Sequence, residues 1–167
     1  MPPVAPVIRS ATLEDHESIA QLLFRSHTIS FLRYATDDWV SSRRLDEYRG
    51  RWHDILSNIT SRDTTIVASL DGALVGSVRV APVESPDYDA HLIGMHVEPH
   101  LTGSGIGGLL MRSALKFISE QGFERVELGV IATNSDARRF YEARGWVLVR
   151  TFPKGIEDVP VAVYELS

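Results

Sequence analysis

Four glycines fall within the six residues 103–108, and they separate two segments of different periodicity. Before them, Leu92, Ile93, Met95 and Val97 form an apolar run of strand length that Pro99 ends. After them, Ile106, Leu109, Leu110, Ala114, Phe117 and Ile118 recur at helical spacing. The stretch predicts a strand, a short loop, a glycine turn and a helix. Glycines let the backbone turn sharply and let a ligand approach without meeting a Cβ. The first N–H groups of a helix have no partner inside it and point along its positive dipole. A phosphate group fits such a turn. The competing reading is a set of glycines that only bends the chain.

Gly103-x-Gly105-x-x-Gly108 matches a dinucleotide fingerprint, and Glu127 follows at about the spacing of a ribose partner. Three features argue against that reading. Residues 99–102 intervene between the strand and the first glycine. Glu127 lies inside the apolar run 126–130 and not at its end. Two mononucleotide-binding halves do not fit after residue 90 of a 167-residue chain. The absence of Gly-Lys-Ser/Thr excludes a P-loop.

A family matches better. Val97-x-Pro99, then Gly103-x-Gly105-Ile106-Gly107-Gly108-Leu109-Leu110, resembles the acetyl-CoA signature of the GNAT (Gcn5-related) N-acetyltransferases. Val126-x-Leu128-x-Val130, Asn134, Ala137, Phe140-Tyr141 and Gly145-Trp146 resemble that family's later motif. The two motifs stand in the family's order with one helix between them. The resemblance is sharp over residues 90–147 and looser over 6–165.

Composition is compatible. Hydrophobic residues at 44% and charged residues at 23% are ordinary for a globular chain, and the length predicts a single domain over residues 1–167. The net charge of −5 argues against nucleic acid as a partner. A polyanionic cofactor must then be held by local N–H groups and a few basic side chains. The chain has no Cys, so disulfides and a thiolate nucleophile are excluded. No apolar run approaches a membrane span, so no membrane partner is expected. Met1-Pro2-Pro3-Val4 lacks the basic start and apolar core of a signal peptide, which predicts a soluble, cytoplasmic protein.

Val7-Ile8-Arg9 predicts a first strand, and Thr12-x-x-Asp15 a helix start with an apolar stripe of Ile19, Leu22 and Leu23 to about Ser26. Residues 27–36 have an irregular pattern. Leu45, Tyr48, Trp52, Ile55 and Leu56 form a second stripe; Tyr48 and Trp52 lie in its register and read as core. A β-branched run over 64–70, the turn Asp71-Gly72 and a return strand over 74–81 predict a hairpin. A strand over 90–97 feeds the glycine turn. The helix 105–120 ends at Gly122, and a strand over 126–130 completes a parallel crossover. Asn134 or Ser135 caps a helix through Ala143. Strands over 147–151 and 159–166 close the chain, with a loop over 154–158. The predicted class is α/β (α+β): a GNAT-like, mixed, mostly antiparallel twisted sheet of about seven strands with helices on both faces.

Acetyl transfer to an amine needs three things. The amine, with an ordinary pKa of about 10.4, must lose a proton. The thioester oxygen needs a fixed donor as charge grows on it. The thiolate leaves more readily with a proton from an acid. The resemblance assigns that acid to Tyr141, against the alternative of a tyrosine that only packs. It gives Asn134 a hydrogen bond to pantetheine, against a plain N-cap, and gives the main chain of Met95, His96 and Val97 the pantetheine amides and the oxyanion donor; Ala137 and Tyr141 are further cofactor contacts. It places the pyrophosphate on Thr102, Gly103, Ser104, Gly105, Ile106, Gly107 and Gly108. Acceptor-binding residues are expected between Phe24 and Trp52.

The chain departs from the signature in two places. His100 stands where Gln or Arg often begins it, and Thr102 and Ser104 stand beside the glycines where Arg is frequent. Arg112, Arg138 or Arg139 are candidates to compensate, or are solvated helix charges. For the general base, His91 occupies the position where relatives carry Glu, and an imidazole is suited to neutral pH. His96, Glu98 and water are the alternatives. Strand alternation puts His91, Ile93, Met95 and Val97 on one face, unless a bulge of the kind the family has nearby breaks the parity. His91, His96 and His100 share no metal-ligand spacing, so no metal is expected.

The activity implied is acetyl-CoA-dependent N-acetylation of a small-molecule amine. The alternatives are a non-catalytic acyl-CoA-binding module, another acyl donor, or a protein amine. Oligomeric state is open at this stage; a homodimer is admitted because many relatives dimerise.

Overall fold

The computed structural model describes residues 4–156 and 159–167. Residues 1–3, part of the segment read for a leader, and residues 157 and 158, in the predicted final loop, lie outside that set. Among the described residues, seven strands form one sheet: β1 (Val7–Ser10), β2 (Thr64–Leu70), β3 (Ala73–Pro82), β4 (Ala90–Val97), β5 (Val126–Ile131), β6 (Trp146–Ile156) and β7 (Val159–Leu166). Their order is β1-β2-β3-β4-β5-β7-β6. Every neighbouring pair is antiparallel except β4 and β5, which the crossover makes parallel.

Five α-helices cover the two faces, among the described residues: α1 (His16–Ile29), α2 (Asp37–Ser41), α3 (Leu45–Ser57), α4 (Ile106–Gln121) and α5 (Ser135–Glu142). β2 explains how one strand serves both faces. Ile66 and Ala68 pack under α4, while Val67 packs with Ile19, Leu22 and Trp52 of α1 and α3. Period-two alternation sends successive β-branched residues to opposite layers. Tyr48 and Trp52 are buried in the second layer, as their register predicted.

Local chemistry sets the boundaries that were predicted well. Asp71 and Gly72 both have positive φ and link Leu70 to its partner Ala73 in a tight turn. Gly122 ends α4 at φ 69° and closes it through its N–H. Three expectations are corrected. The irregular stretch 27–36 contains the end of α1 and a 3-10 turn at Ser30–Arg33, and α2 follows it where no element was expected. The signal for α2 was Thr36, whose hydroxyl accepts from the Trp39 N–H, followed by acids at 37 and 38. The last correction is β6, which runs to Ile156 because pairing with β7 continues past Phe152 through a register shift.

Candidate active site

β4 and β5 pair only at Ala90–Val126 and His91–Glu127, then part. One extra residue in β4 redirects the strand. Arg79 faces Ile93, but Ser77 faces His96, so a bulge lies between, at Gly94 with φ 63°. That backbone conformation favours glycine. Beyond the bulge the parity reverses, so the expected common face of His91, Ile93, Met95 and Val97 does not form. Met95 and Val97 turn to the α4 layer. His96 turns to α1, where its Nδ1 lies 2.7 Å from Ser26 Oγ.

The parted strands open a cleft of two connected chambers, about 530 and 730 Å³. Met95, Val97, Thr102, Asn134, Ala137 and Tyr141 line both. Here the β5-facing edge of β4 has no strand partner among the described residues, and an extended ligand can pair with such an edge. Asn134 caps α5 by accepting from the Ala137 N–H at 3.2 Å. That cap sets the helix at the cleft wall and brings Tyr141 round to it. Tyr141 is buried, and its hydroxyl has no hydrogen-bond partner among the described residues. Burial raises its pKa well above the ordinary phenol value, so it is protonated at neutral pH.

The outer chamber is lined by Gly103, Gly105, Gly107 and Gly108. The four glycines divide into two roles. Gly103 and Gly105 have φ of 81° and 93° and no atom within 4 Å of a would-be Cβ; they make the open bend. A Cβ at Gly107 would lie 3.2 Å from Phe140, and one at Gly108 would lie 3.3 Å from Arg144. That pair lets α4 approach α5. Ser104 and Ile106 do not line either chamber: the Ser104 hydroxyl donates to the Leu101 carbonyl, and Ile106 is core. The Thr102 hydroxyl donates to the Pro99 carbonyl at 3.1 Å, so both hydroxyls act inside the loop.

None of the three arginines the sequence offered lines either chamber. Arg138 bonds the Tyr164 hydroxyl and the Ala132 carbonyl, Arg139 pairs with Asp136, and Arg112 lines neither chamber. His100 also lies outside them. Arg144 and Arg33 line the outer chamber instead. Arg144 is held 3.7 Å over the Phe140 ring and donates to the Phe140 carbonyl.

His91 lines the inner chamber where the strands still pair, its Nε2 2.7 Å from Glu127, which also binds Arg150. Among the described residues no group of three or more His, Asp or Glu is placed to hold a metal. Opposite β4, α1 contributes Ser26 and His27, and Phe31 follows. His27 Nδ1 lies 2.6 Å from the Tyr48 hydroxyl, and its ring is 5.0 Å from that of His96. Burial lowers His96 to about 3, with His27 adding to it. Burial, with Arg43 and Arg51, lowers His27 to about 4. Both rings are neutral at pH 7. The sequence assigned no role to Ser26, His27 or Arg144, although Ser26 and His27 fall in the Phe24–Trp52 segment where the resemblance put acceptor contacts.

The family model for the acetyltransferase (GNAT) family matches residues 17–146. The chain belongs to this family. Among GNAT relatives, an uncharacterized N-acetyltransferase of Archaeoglobus fulgidus is 28% identical over 141 residues, 82% of this chain and 90% of the relative. One of Mycobacterium tuberculosis is 32% identical over 144 residues, 84% and 83%. In fold, the chain is similar to the PaiA N-acetyltransferase of Thermoplasma acidophilum solved with coenzyme A. The TM-score is 0.78 at 18% identity, covering 95% of this chain and 98% of that one. The N-acetyltransferase class expected from the sequence holds, and so does the GNAT fold: a mixed, open sheet with its parallel pair at the cleft.

Proposed function

We propose that the chain, as one domain, transfers an acetyl group from acetyl-CoA to the primary amine of a small molecule by direct attack on the thioester. One observation carries this reading: the free edge of β4 at Met95–Val97 stands between an open glycine bend and the unbonded hydroxyl of buried Tyr141. The parts fit coenzyme A. The bend and the start of α4 offer N–H groups to the pyrophosphate, with Arg144 and Arg33 supplying the charge that Thr102 and Ser104 lack. The β4 edge matches an amide-bearing arm. Acetyl-CoA, the neighbour's class of ligand, supplies the activated carbonyl and a thiol leaving group.

The residues divide the work. A β4 main-chain N–H near Met95–Val97 is the donor for charge growing on the carbonyl oxygen. Tyr141 donates its proton to the departing sulfur. Its raised pKa is no bar, because the same desolvation raises that of the thiolate beside it. His91, whose Nε2 is 2.7 Å from Glu127, takes the amine's proton through water on its other ring nitrogen. It stands four residues before Met95, roughly 13 Å along an extended strand, so direct contact is excluded. His96, as neutral as its environment makes it, is too weak a base for an ammonium.

The test measures acetyl-CoA binding by calorimetry and free-thiol release over a panel of amines. Binding with amine-dependent release supports the transferase. Binding without release over a broad panel would leave an acyl-CoA-binding module, and a preference for propionyl- or succinyl-CoA, or for peptide amines, would redirect the donor or acceptor.

A further inference from the structure

Beyond the His27–His96 pair the cleft continues into a side chamber of about 330 Å³ between β4, α1 and α3. His27, Ile93, Gly94 and His96 line both this chamber and the inner chamber, so the two adjoin along this wall. The far walls are Tyr48, Trp52 and Ile55 of α3. The chamber owes its existence to the bulge, because Gly94 directs His96 toward α1 and carries no side chain of its own.

Two arginines line it. Arg79 is neutralised by Asp63 through bonds of 3.1 and 2.6 Å. Arg51 makes no hydrogen bond or ion pair among the described residues. Among the described residues, no acidic side chain lines the chamber. In a chain with net charge −5, this is a local positive site with apolar walls. Burial holds His27 low, and Arg43, outside the lining, and Arg51 add to it.

We propose that this chamber takes the body of an acceptor that carries a carboxylate as well as its amine, with Arg51 as the carboxylate's partner and Tyr48, Trp52 and Ile55 against an apolar side chain. The inference rests on the acetyl-transfer reading above and names its substrate class. A carboxylate is matched by a guanidinium fork, which Lys does not reproduce. An acid-free amine leaves Arg51 without a counter-ion and gains nothing from it.

The experiment uses amine pairs that differ only in the carboxylate: leucine with isopentylamine, phenylalanine with phenethylamine, and β- and γ-amino acids with their acid-free counterparts. Thiol release gives kcat/KM for each, and calorimetry gives acetyl-CoA affinity. The carboxylate member is expected to be the better substrate. Arg51→Gln is expected to raise its KM about tenfold, the scale of one charge-assisted bond. Acid-free amines, kcat and acetyl-CoA binding stay as in the wild type. Equal or better turnover of the acid-free member, or an Arg51→Gln loss equal for both, overturns the inference while the transferase stands. If no amine is turned over, the amino acids are titrated into CoA-saturated protein. Heat that disappears in Arg51→Gln supports the chamber, and no heat overturns it. Failure of acetyl-CoA itself to bind overturns the transferase reading, and the same titration without CoA then judges the chamber alone.

Discussion

His96 Nδ1 lies 2.7 Å from Ser26 Oγ, tying β4 to α1 across 70 residues of sequence. The contact exists because the bulge at Gly94 turns position 96 to the face that alternation gives to position 95. It closes one wall of the cleft and leaves a neutral imidazole beside the β4 edge.

That neutrality has a stability signature. Unfolded, the His27 and His96 rings titrate near 6.5; folded, they titrate at about 4 and about 3. Between these values the unfolded chain binds more protons, so stability falls as pH falls from 6.5 toward 4. Asp15, bonded by Arg9, and Asp89, bonded by the Arg125 and Glu124 N–H groups, are also held low, but they act nearer pH 4 and below. Unfolding free energies from denaturant titrations at pH 7 to 5 should decline, by at most about 1.4 kcal/mol per pH unit for each ring. His96→Gln should flatten the slope. A level wild-type profile would contradict the burial of these rings.

Tyr141→Phe removes one buried hydroxyl and leaves the ring. Turnover should drop by about 100-fold or more, the low end of general-acid contributions. Acetyl-CoA affinity should change little. Thiol release and calorimetry on the same preparation separate the two, and an unchanged kcat would remove Tyr141 from the chemistry.

Gly105→Ala places a Cβ at φ 93°. The strain should cost about 1–2 kcal/mol, read as a lowered thermal midpoint, and should weaken coenzyme A binding by displacing the bend. Gly107→Ala should act differently, through the Phe140 ring 3.2 Å away and the α4–α5 approach.

Arg144→Gln should weaken coenzyme A binding several-fold and reduce its dependence on salt, because a cation beside the glycine bend is lost. Arg112→Gln is the control: it lines neither chamber, and binding should not move. Calorimetry at two salt concentrations tests both.

What the sequence determined by itself was local. The glycine bend, the Asp71-Gly72 turn, the Asn134 cap and the Gly122 stop rest on backbone chemistry within a few residues, and so were legible along with the order of strands and helices. The placement of Tyr141 followed from the cap and the helical turn. Tertiary structure decided the rest. A one-residue bulge reversed the faces of β4 and brought His96, not Met95, toward α1. Packing of α4 on α5 claimed two of the four glycines and set Arg144, instead of Arg138 or Arg139, beside the bend. The pairing of Ser26 with His96, and the unpaired charge of Arg51 behind them, join segments far apart in the chain. Periodicity reports which face a residue takes within one regular element; it carries no information on what another element places opposite.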